Sequence, residues 1–395
     1  MRIGIDCLDI NPQYAGGVNS YLFGLMEGFS SIERDDIDFV ILCCPANKFF
    51  LEPIAKKHNF ALVNIKFYNK FIYTLFLVIP FIFNSKSLWR IFTNIHSEIF
   101  GVNKTFQKKC DIVYTASTVL NSYNLKIPTI LSMHDIQHVH FPEFFSKIRL
   151  RVRLLRFENS ALAATKIQAS SNFIKEDLLD FFKFLIPEKI IVITEGVNLK
   201  EFSEPTVLNI KKKYSLPEKF LFFPATLWKH KNHLLVLNAL KLIEEKHKIK
   251  IPLILTGGRN TAYEEIMSFI SNNNMDYVKY LGKVSYEEII ALYQNAYCLV
   301  TAVLYESSSL PILEAAASGL PIIASNTPPN KEMGKILNLN LFESDNLDNL
   351  ELQIINNWRN IKIQDQKNFN LKKIDQYSWK NIASDYLSNF ESIFK

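Results

Sequence analysis

The sequence predicts an α/β protein of two doubly wound, Rossmann-like parallel-sheet domains facing a central cleft. Strand-length apolar runs alternate with longer stretches of helical periodicity, the pattern of parallel strands joined by right-handed crossovers. The alternation runs twice, separated by a polar, lysine-rich break at about 197–218. A chain of 395 residues is long enough for two domains, each with its own core. Ligands of such sheets collect beyond the C-terminal strand ends, so two facing sheets make one deep cleft.

In the first half, strands are expected at 2–8, 39–44, 111–115, 129–134, 166–169 and 190–194, with helices at 18–29, 146–164 and 173–182. In the second half, strands at 220–224, 252–256, 277–281, 297–301 and 321–324 alternate with helices at 232–246, 262–271, 285–295 and 311–318. The domains are drawn as 1–196 and 197–375, with a final amphipathic helix inside 376–395.

Composition narrows the class. Apolar residues at 48% and charged residues at 21% are ordinary for a globular chain. A net charge of +6 without a long Lys/Arg tract does not suit a nucleic-acid binder. It suits an enzyme that handles diphosphates near an anionic membrane surface. Five cysteines with no CxxC pair predict buried thiols in a reducing compartment. The chain opens on a strand-like run with no basic segment before it, so no signal peptide is expected, and the expected location is cytoplasmic. The stretch 71–83, FIYTLFLVIPFIF, is too short to span a bilayer, which takes about 20 apolar residues. It reads either as core or as a patch touching a bilayer or lipid acceptor.

Several segments can carry chemistry. Gly16 and Gly17 lie between the first strand and its helix, where glycine lets backbone approach a phosphate; a plain turn fits equally well. The full GxGxxG pattern is missing, which disfavours a nicotinamide cofactor. In YESSSLPILEAAASG (305–319), Glu306 falls in a loop and Glu314 in the first turns of a helix opened by Pro311. Backbone N–H groups of Ser308, Ser309 and Leu310 lie between the two carboxylates. Carboxylates for sugar and ribose hydroxyls, beside a helix start for phosphate, suit a sugar diphosphate. Two solvated glutamates remain the alternative. In ATLWKHKNH (225–233), Lys229 and Lys231 can reach a diphosphate and Asn232 can cap a helix, or the loop is simply basic and solvated.

His134, His138 and His140 stand near Asp135, but their spacing is not that of a metal site. His134 ends a strand and is placed to orient a hydroxyl or share a proton. Arg149, Arg153 and Arg156 share one helical face, read as solvated or as a contact for a membrane surface or lipid phosphate. Neither a GxSxG elbow nor a P-loop is present.

Taken together, the Gly16–Gly17 loop, His134–Asp135, Lys231 in KHKNH and the ESSSLPILEA stretch resemble glycosyltransferase family 4, the retaining GT-B enzymes, in the family's order over most of the chain. The last resembles the family's E-x7-E motif. FPATLWKHKNH and HDIQHVHFPEFF resemble a mannosyltransferase-like branch, and YSWKNIASDYL resembles the terminal helix that crosses back to the first domain.

The resemblance implies that Lys231 neutralises a donor diphosphate, Glu314 binds ribose hydroxyls and Glu306 contacts the transferred sugar. It places the backbone of Ser309 and Leu310 at phosphate or sugar, and Gly282, Lys283 and Val284 near the base. Gly17 would touch the phosphates and His134 the sugar. Thr226 is a departure: many members carry an arginine there as a second phosphate clamp, and Lys229 or Arg259 is the expected substitute. The implied reaction is retaining, needs neither metal nor cofactor, and moves a hexosyl unit, with a lean to mannose from GDP-mannose. The acceptor would be a glycan or lipid-linked glycan of a surface polysaccharide, reached in peripheral contact with the inner membrane surface. A binding-only subunit and a two-domain epimerase are the competing readings.

Overall fold

The computed structural model describes residues 1–10, 17–66, 68, 70–359 and 369–394. They form two compact units, one of Met1–Gly196 with Trp379–Lys395 and the other of Val197–Ser378.

The first unit is a seven-stranded, wholly parallel sheet. Its strands are β1 (Arg2–Asp6), β2 (Asp38–Cys43), β3 (Phe60–Asn64), β4 (Ile112–Thr115), β5 (Thr129–Ser132), β6 (Lys166–Ala169) and β7 (Ile190–Val192), in the order β3-β2-β1-β4-β5-β6-β7. The second unit has β8 (Leu221–Pro224), β9 (Leu253–Thr256), β10 (Val278–Tyr280), β11 (Cys298–Thr301), β12 (Ile322–Ser325) and β13 (Asn340–Phe342), in the order β10-β9-β8-β11-β12-β13. Winding reverses at the β1/β4 and β8/β11 pairs, the points where such sheets open a crevice at their C-terminal edge.

Two strands, β3 and β13, were not expected. Both lie at a sheet edge. Most of β3 is only half-buried, and β13 has three residues, so neither presents the continuous apolar run of a central strand. The expected linker also differs. It holds two short helices, Leu199–Ser203 and Ile210–Tyr214, whose Phe202 and Ile210 are buried in the second unit's core. The stretch 71–83 does not form core. It folds into the short helices Lys70–Phe76 and Val78–Ile82, burying Tyr73, Leu77 and Pro80 and leaving Phe71, Ile82 and Phe83 exposed.

The final helix, Trp379–Phe394, packs on the helix Gly17–Ser30 of the first unit. Two glycines admit it. A Cβ on Gly24 would lie 2.2 Å from Trp379 Cε2, and one on Gly28 2.2 Å from the Trp379 carbonyl oxygen. Beneath this contact Tyr21, Tyr114, Ser132 and Tyr386 bring four hydroxyls together in the core, with Tyr114 Oη and Ser132 Oγ 2.7 Å apart. Hydroxyls buried this far from water need such mutual partners.

Gly28→Val should therefore lower stability by about 2–3 kcal/mol, because backbone oxygen cannot move aside as a side chain can. Urea unfolding tests this; a wild-type midpoint would show that the helix does not need the glycine face.

Candidate functional site

In the second unit the switch point brings together loops that are far apart in sequence. The loop after β8 runs from Ala225 to Asn232, and that after β11 from Ala302 to Ser309. Backbone bonds fix both. Leu304 N–H donates to the His230 carbonyl at 2.9 Å, tying the two loops directly. Leu227 N–H donates to the Gly258 carbonyl at 3.0 Å, and Gly257 N–H to the Gly282 carbonyl at 2.8 Å, which stitches in the ends of β9 and β10. Gly257 is obligatory: its φ is +126° and a Cβ would lie 2.4 Å from the Ala225 carbonyl oxygen.

Lys231 closes a short turn, Lys229–Lys231, before the helix His233–His247. Its Nζ donates to Glu306 Oε1 at 2.6 Å, and the two side chains are 19% and 11% exposed. Glu306 Oε2, Ser308 Oγ and Ser309 Oγ are buried and meet no hydrogen-bond partner among the described residues. A lysine ammonium carries three donors and a carboxylate about four lone-pair positions, so the pair keeps capacity for a polar ligand. Immediately after it the helix Leu310–Ala317 begins, with Pro311 in its first turn and Ser309 at the N-cap, whose side chain makes no capping bond. First-turn amides have no acceptor inside their own helix, so this end favours an anion.

Glu314 lies one turn in. Burial raises its pKa to about 7, and the Tyr293 hydroxyl beside it pulls the other way. Tyr293, on the helix Tyr286–Asn295, feels the charge of both Glu314 and Glu306. Its distance from either motif hid it from sequence reasoning, and the same holds for Gly257–Gly258. His230 and His233 are held neutral, each with a pKa of about 3, by burial first and then by the Lys231 charge. His233 stacks on Phe223 with ring centroids 4.2 Å apart.

The remaining second-unit candidates disperse. Asn232 sits at the N-cap with φ 55° but does not cap with its side chain, which reaches toward Asp345 instead. Lys229 is exposed, and the Arg259 guanidinium lies 4.6 Å above the Tyr263 ring. The cation beside Thr226 is a different one. A Cβ on Gly258 would be 3.1 Å from Lys283 Cε and 3.8 Å from Thr226 Cγ2, so Lys283 and Thr226 flank one bare glycine face. Gly282, at φ +74°, turns the chain there, while Val284 and Leu310 pack against the core.

In the first unit Gly16 lies outside the described residues. Gly17 opens its helix, exposed, with open space where a Cβ would stand. His134 follows β5 and is buried, its Nε2 2.8 Å from the Ala116 carbonyl oxygen. A carbonyl only accepts, so Nε2 carries the proton and Nδ1 keeps a lone pair. Burial lowers the His134 pKa, so the ring is neutral. The other two histidines go elsewhere. His138 packs edge-on to Phe157 at 4.9 Å, and His140 bonds Asp177 at 2.7 Å. The three arginines do not share a solvated face. Arg149 is exposed, Arg153 lies between the Phe145 and Phe157 rings, and Arg156 turns inward to Asp9 at 3.3 Å.

Glu314 also sets a pH dependence. Its folded pKa lies above the ordinary 4.5, so the folded state holds a proton that the unfolded state releases. Stability must fall as pH rises between about 4.5 and 7. Asp6, raised to about 7 by burial, adds the same slope in any variant. Glu314→Gln should make the decline from pH 5 to pH 8 shallower than in wild type; equal declines in urea unfolding would contradict the burial of this carboxyl.

Two family models match: "Glycosyltransferase Family 4" over residues 15–201 and "Glycosyl transferases group 1" over residues 208–356. O-antigen chain mannosyltransferase B of Escherichia coli is 25% identical over 272 residues, 66% of this chain and 70% of that protein. O-antigen chain mannosyltransferase RfbU of Salmonella typhimurium is 28% identical over 201 residues, about half of either chain (50% and 52%). Among solved structures, Anabaena HepE in complex with UDP and glucose superposes with a TM-score of 0.73 at 17% identity, over 99% of this chain and 100% of that one. WaaG, a glycosyltransferase of lipopolysaccharide biosynthesis, gives 0.67 at 11% identity over 98% and 99%. With both sheets of the GT-B fold present and the two models together matching most of its length, the chain belongs to the family 4 type of glycosyltransferases.

Proposed function

We propose that the chain moves a hexosyl unit from a nucleotide-sugar donor to a hydroxyl of a glycan or lipid-linked glycan in surface-polysaccharide synthesis, with retention at the anomeric carbon. The observation that carries this is the Lys231–Glu306 pair, set before the start of the helix Leu310–Ala317 and flanked by the unpartnered Ser308 and Ser309. The leaving nucleoside diphosphate gains negative charge as the anomeric carbon becomes cationic. Lys231 and the helix start act on the first charge and Glu306 on the second. Groups matched to charge that develops in the transition state raise the rate more than uniform binding does. Glu314 accepts from the ribose hydroxyls. His134, neutral with a free Nδ1, accepts from a hydroxyl of the sugar or acceptor. With cations of the chain at the diphosphate, the reaction needs no metal, and it runs at the cytoplasmic membrane face.

The donor leans to GDP-mannose on the two O-antigen mannosyltransferases named above. HepE, solved with UDP and glucose, supports the nucleotide-sugar class and a different base. Thermal shifts with UDP, GDP, ADP, CMP and dTDP decide between them, because a ligand that binds only the folded chain raises its melting temperature. Lys231→Ala should weaken the stabilising diphosphate about 10- to 100-fold, the worth of a charge-assisted hydrogen bond. Wild-type affinity would remove Lys231 from the site.

We assign Lys283 to the phosphate-clamping role that Thr226 leaves open, on its place across Gly258. Lys283→Met should then weaken the nucleoside diphosphate and leave the free nucleoside unaffected. Equal loss for both would put Lys283 at the base instead. Thr226 also favours a second reading, a binding-only subunit. Slow donor hydrolysis without acceptor supports the enzyme, and its complete absence with the nucleotide bound supports the subunit.

A further inference from the structure

We propose that the first unit holds a binding site for a small neutral ring bearing a hydroxyl group, in a cavity beside His138. The inference goes beyond the donor site and does not depend on it. The cavity measures about 190 Å³ and is lined from the helix Lys147–Ala163, the end of the helix Asn172–Phe181 and the residues that lead into Lys86–Ile99. Leu155, Phe157 and Phe182 give it buried apolar walls. His138 lines it from the short helix Gln137–His140, four residues past His134. This side chain is 1% exposed, and neither Nδ1 nor Nε2 has a hydrogen-bond partner among the described residues. An edge-on contact with Phe157, ring centroids 4.9 Å apart, holds the imidazole in place. Buried polar atoms are costly when left unbonded, so an imidazole with both nitrogens unmet at a cavity wall marks a place for a molecule that bonds them.

The lining selects the occupant. Burial, helped by the Arg153 charge, holds His138 neutral, with a pKa of about 4. A neutral imidazole has one N–H donor and one lone pair, and a hydroxyl, which both donates and accepts, can meet either. Lys86 and Glu158 also line the cavity, partly exposed and paired with each other. A carboxylate would meet Glu158 and an ammonium would meet Lys86, whereas a neutral group leaves that pair intact. Asn84, a further lining residue, already accepts from Arg151 Nε at 2.9 Å. Water can bond the imidazole but leaves the Leu155, Phe157 and Phe182 walls wet. A hydroxylated ring covers those walls and bonds His138 with one molecule. Size agrees, since an apolar cavity of about 150 Å³ takes one benzene ring and this one has room for a substituent as well.

The test is calorimetry on the full chain with phenol, benzene and benzoate. Phenol should bind with a Kd of about 1 mM or lower, and benzene about tenfold more weakly, the worth of one hydrogen bond. Benzoate should bind no better than benzene. His138→Leu replaces the unmet nitrogens with carbon. It should abolish the preference for phenol over benzene, melt no lower than wild type and keep the nucleotide-induced melting shift. With isotope-labelled histidine, phenol should move the ring-nitrogen resonances of one histidine in wild type several-fold further than benzene does. Absence of phenol binding at millimolar concentration would overturn the proposal. Equal binding of benzene and phenol by wild type would reduce the cavity to an apolar hole, and a preference for phenol that survives in His138→Leu would place the ligand elsewhere. Should that variant not fold, the labelled wild type decides alone, and histidine resonances that phenol leaves unmoved would refute the site.

Discussion

The constraint on which the second unit depends is the parallel pairing of β8 with β11. Those strands are separated in the chain by two complete strand–helix repeats, yet their C-terminal ends emerge side by side. Strands wound to either side send their helices to opposite faces, so nothing from the sheet itself fills the space beyond that pair. Lys231 and Glu306 meet there because each sits a few residues past its strand, and the Leu304–His230 backbone bond holds the two loops in register. Position along the sequence would never bring these residues together; position in the winding does.

The first unit meets a related constraint in its core. The final helix returns to it from the far end of the chain and lies against Gly17–Ser30, where glycine backbone takes the place of side chains. The same helix delivers Tyr386 into the hydroxyl cluster with Tyr21 and Tyr114. Polar groups this deep are stable only when mutually bonded, so the cluster fixes how the helix lies as well as whether it binds. Tyr21 also packs edge-to-face with the His134 ring, centroids 5.1 Å apart, which links the seating of the last helix to the environment of a candidate site residue.

Much of this was legible in the residues, for physical reasons. Central strands such as β4 and β11 are buried on both faces and read as nearly continuous apolar runs. The helix expected at 311–318 and found at 310–317 announced itself through Pro311, and the presence of two parallel sheets followed from one alternation repeated. Edge strands β3 and β13 did not show, because one exposed side dilutes the pattern. The arginines of 149–156 share a face by periodicity, but periodicity cannot say that the face turns from solvent at Arg149 to the interior at Arg156. Tyr293, and the place of Lys283 beside Thr226 rather than only near the base, were hidden for another reason. Their relation to Glu314 and Thr226 runs through space across strand ends, and no local spacing encodes it.

A nearly buried ion pair is usually weak evidence of stabilisation, since removing two charges from water offsets much of their attraction. The Lys231–Glu306 pair is a clear instance: only one carboxylate oxygen is engaged, and Oε2 remains buried without a partner. A pair selected for stability would fill both oxygens or be replaced by apolar groups. Its half-filled state is intelligible on the proposed reading. Lys231 can keep its bond to Glu306 and still turn its other N–H groups to a diphosphate, while Oε2 accepts from the sugar. The two opposite charges are held 2.6 Å apart within the folded unit. Their desolvation is incurred in folding rather than at the moment of reaction, which is what preorganised electrostatic catalysis requires.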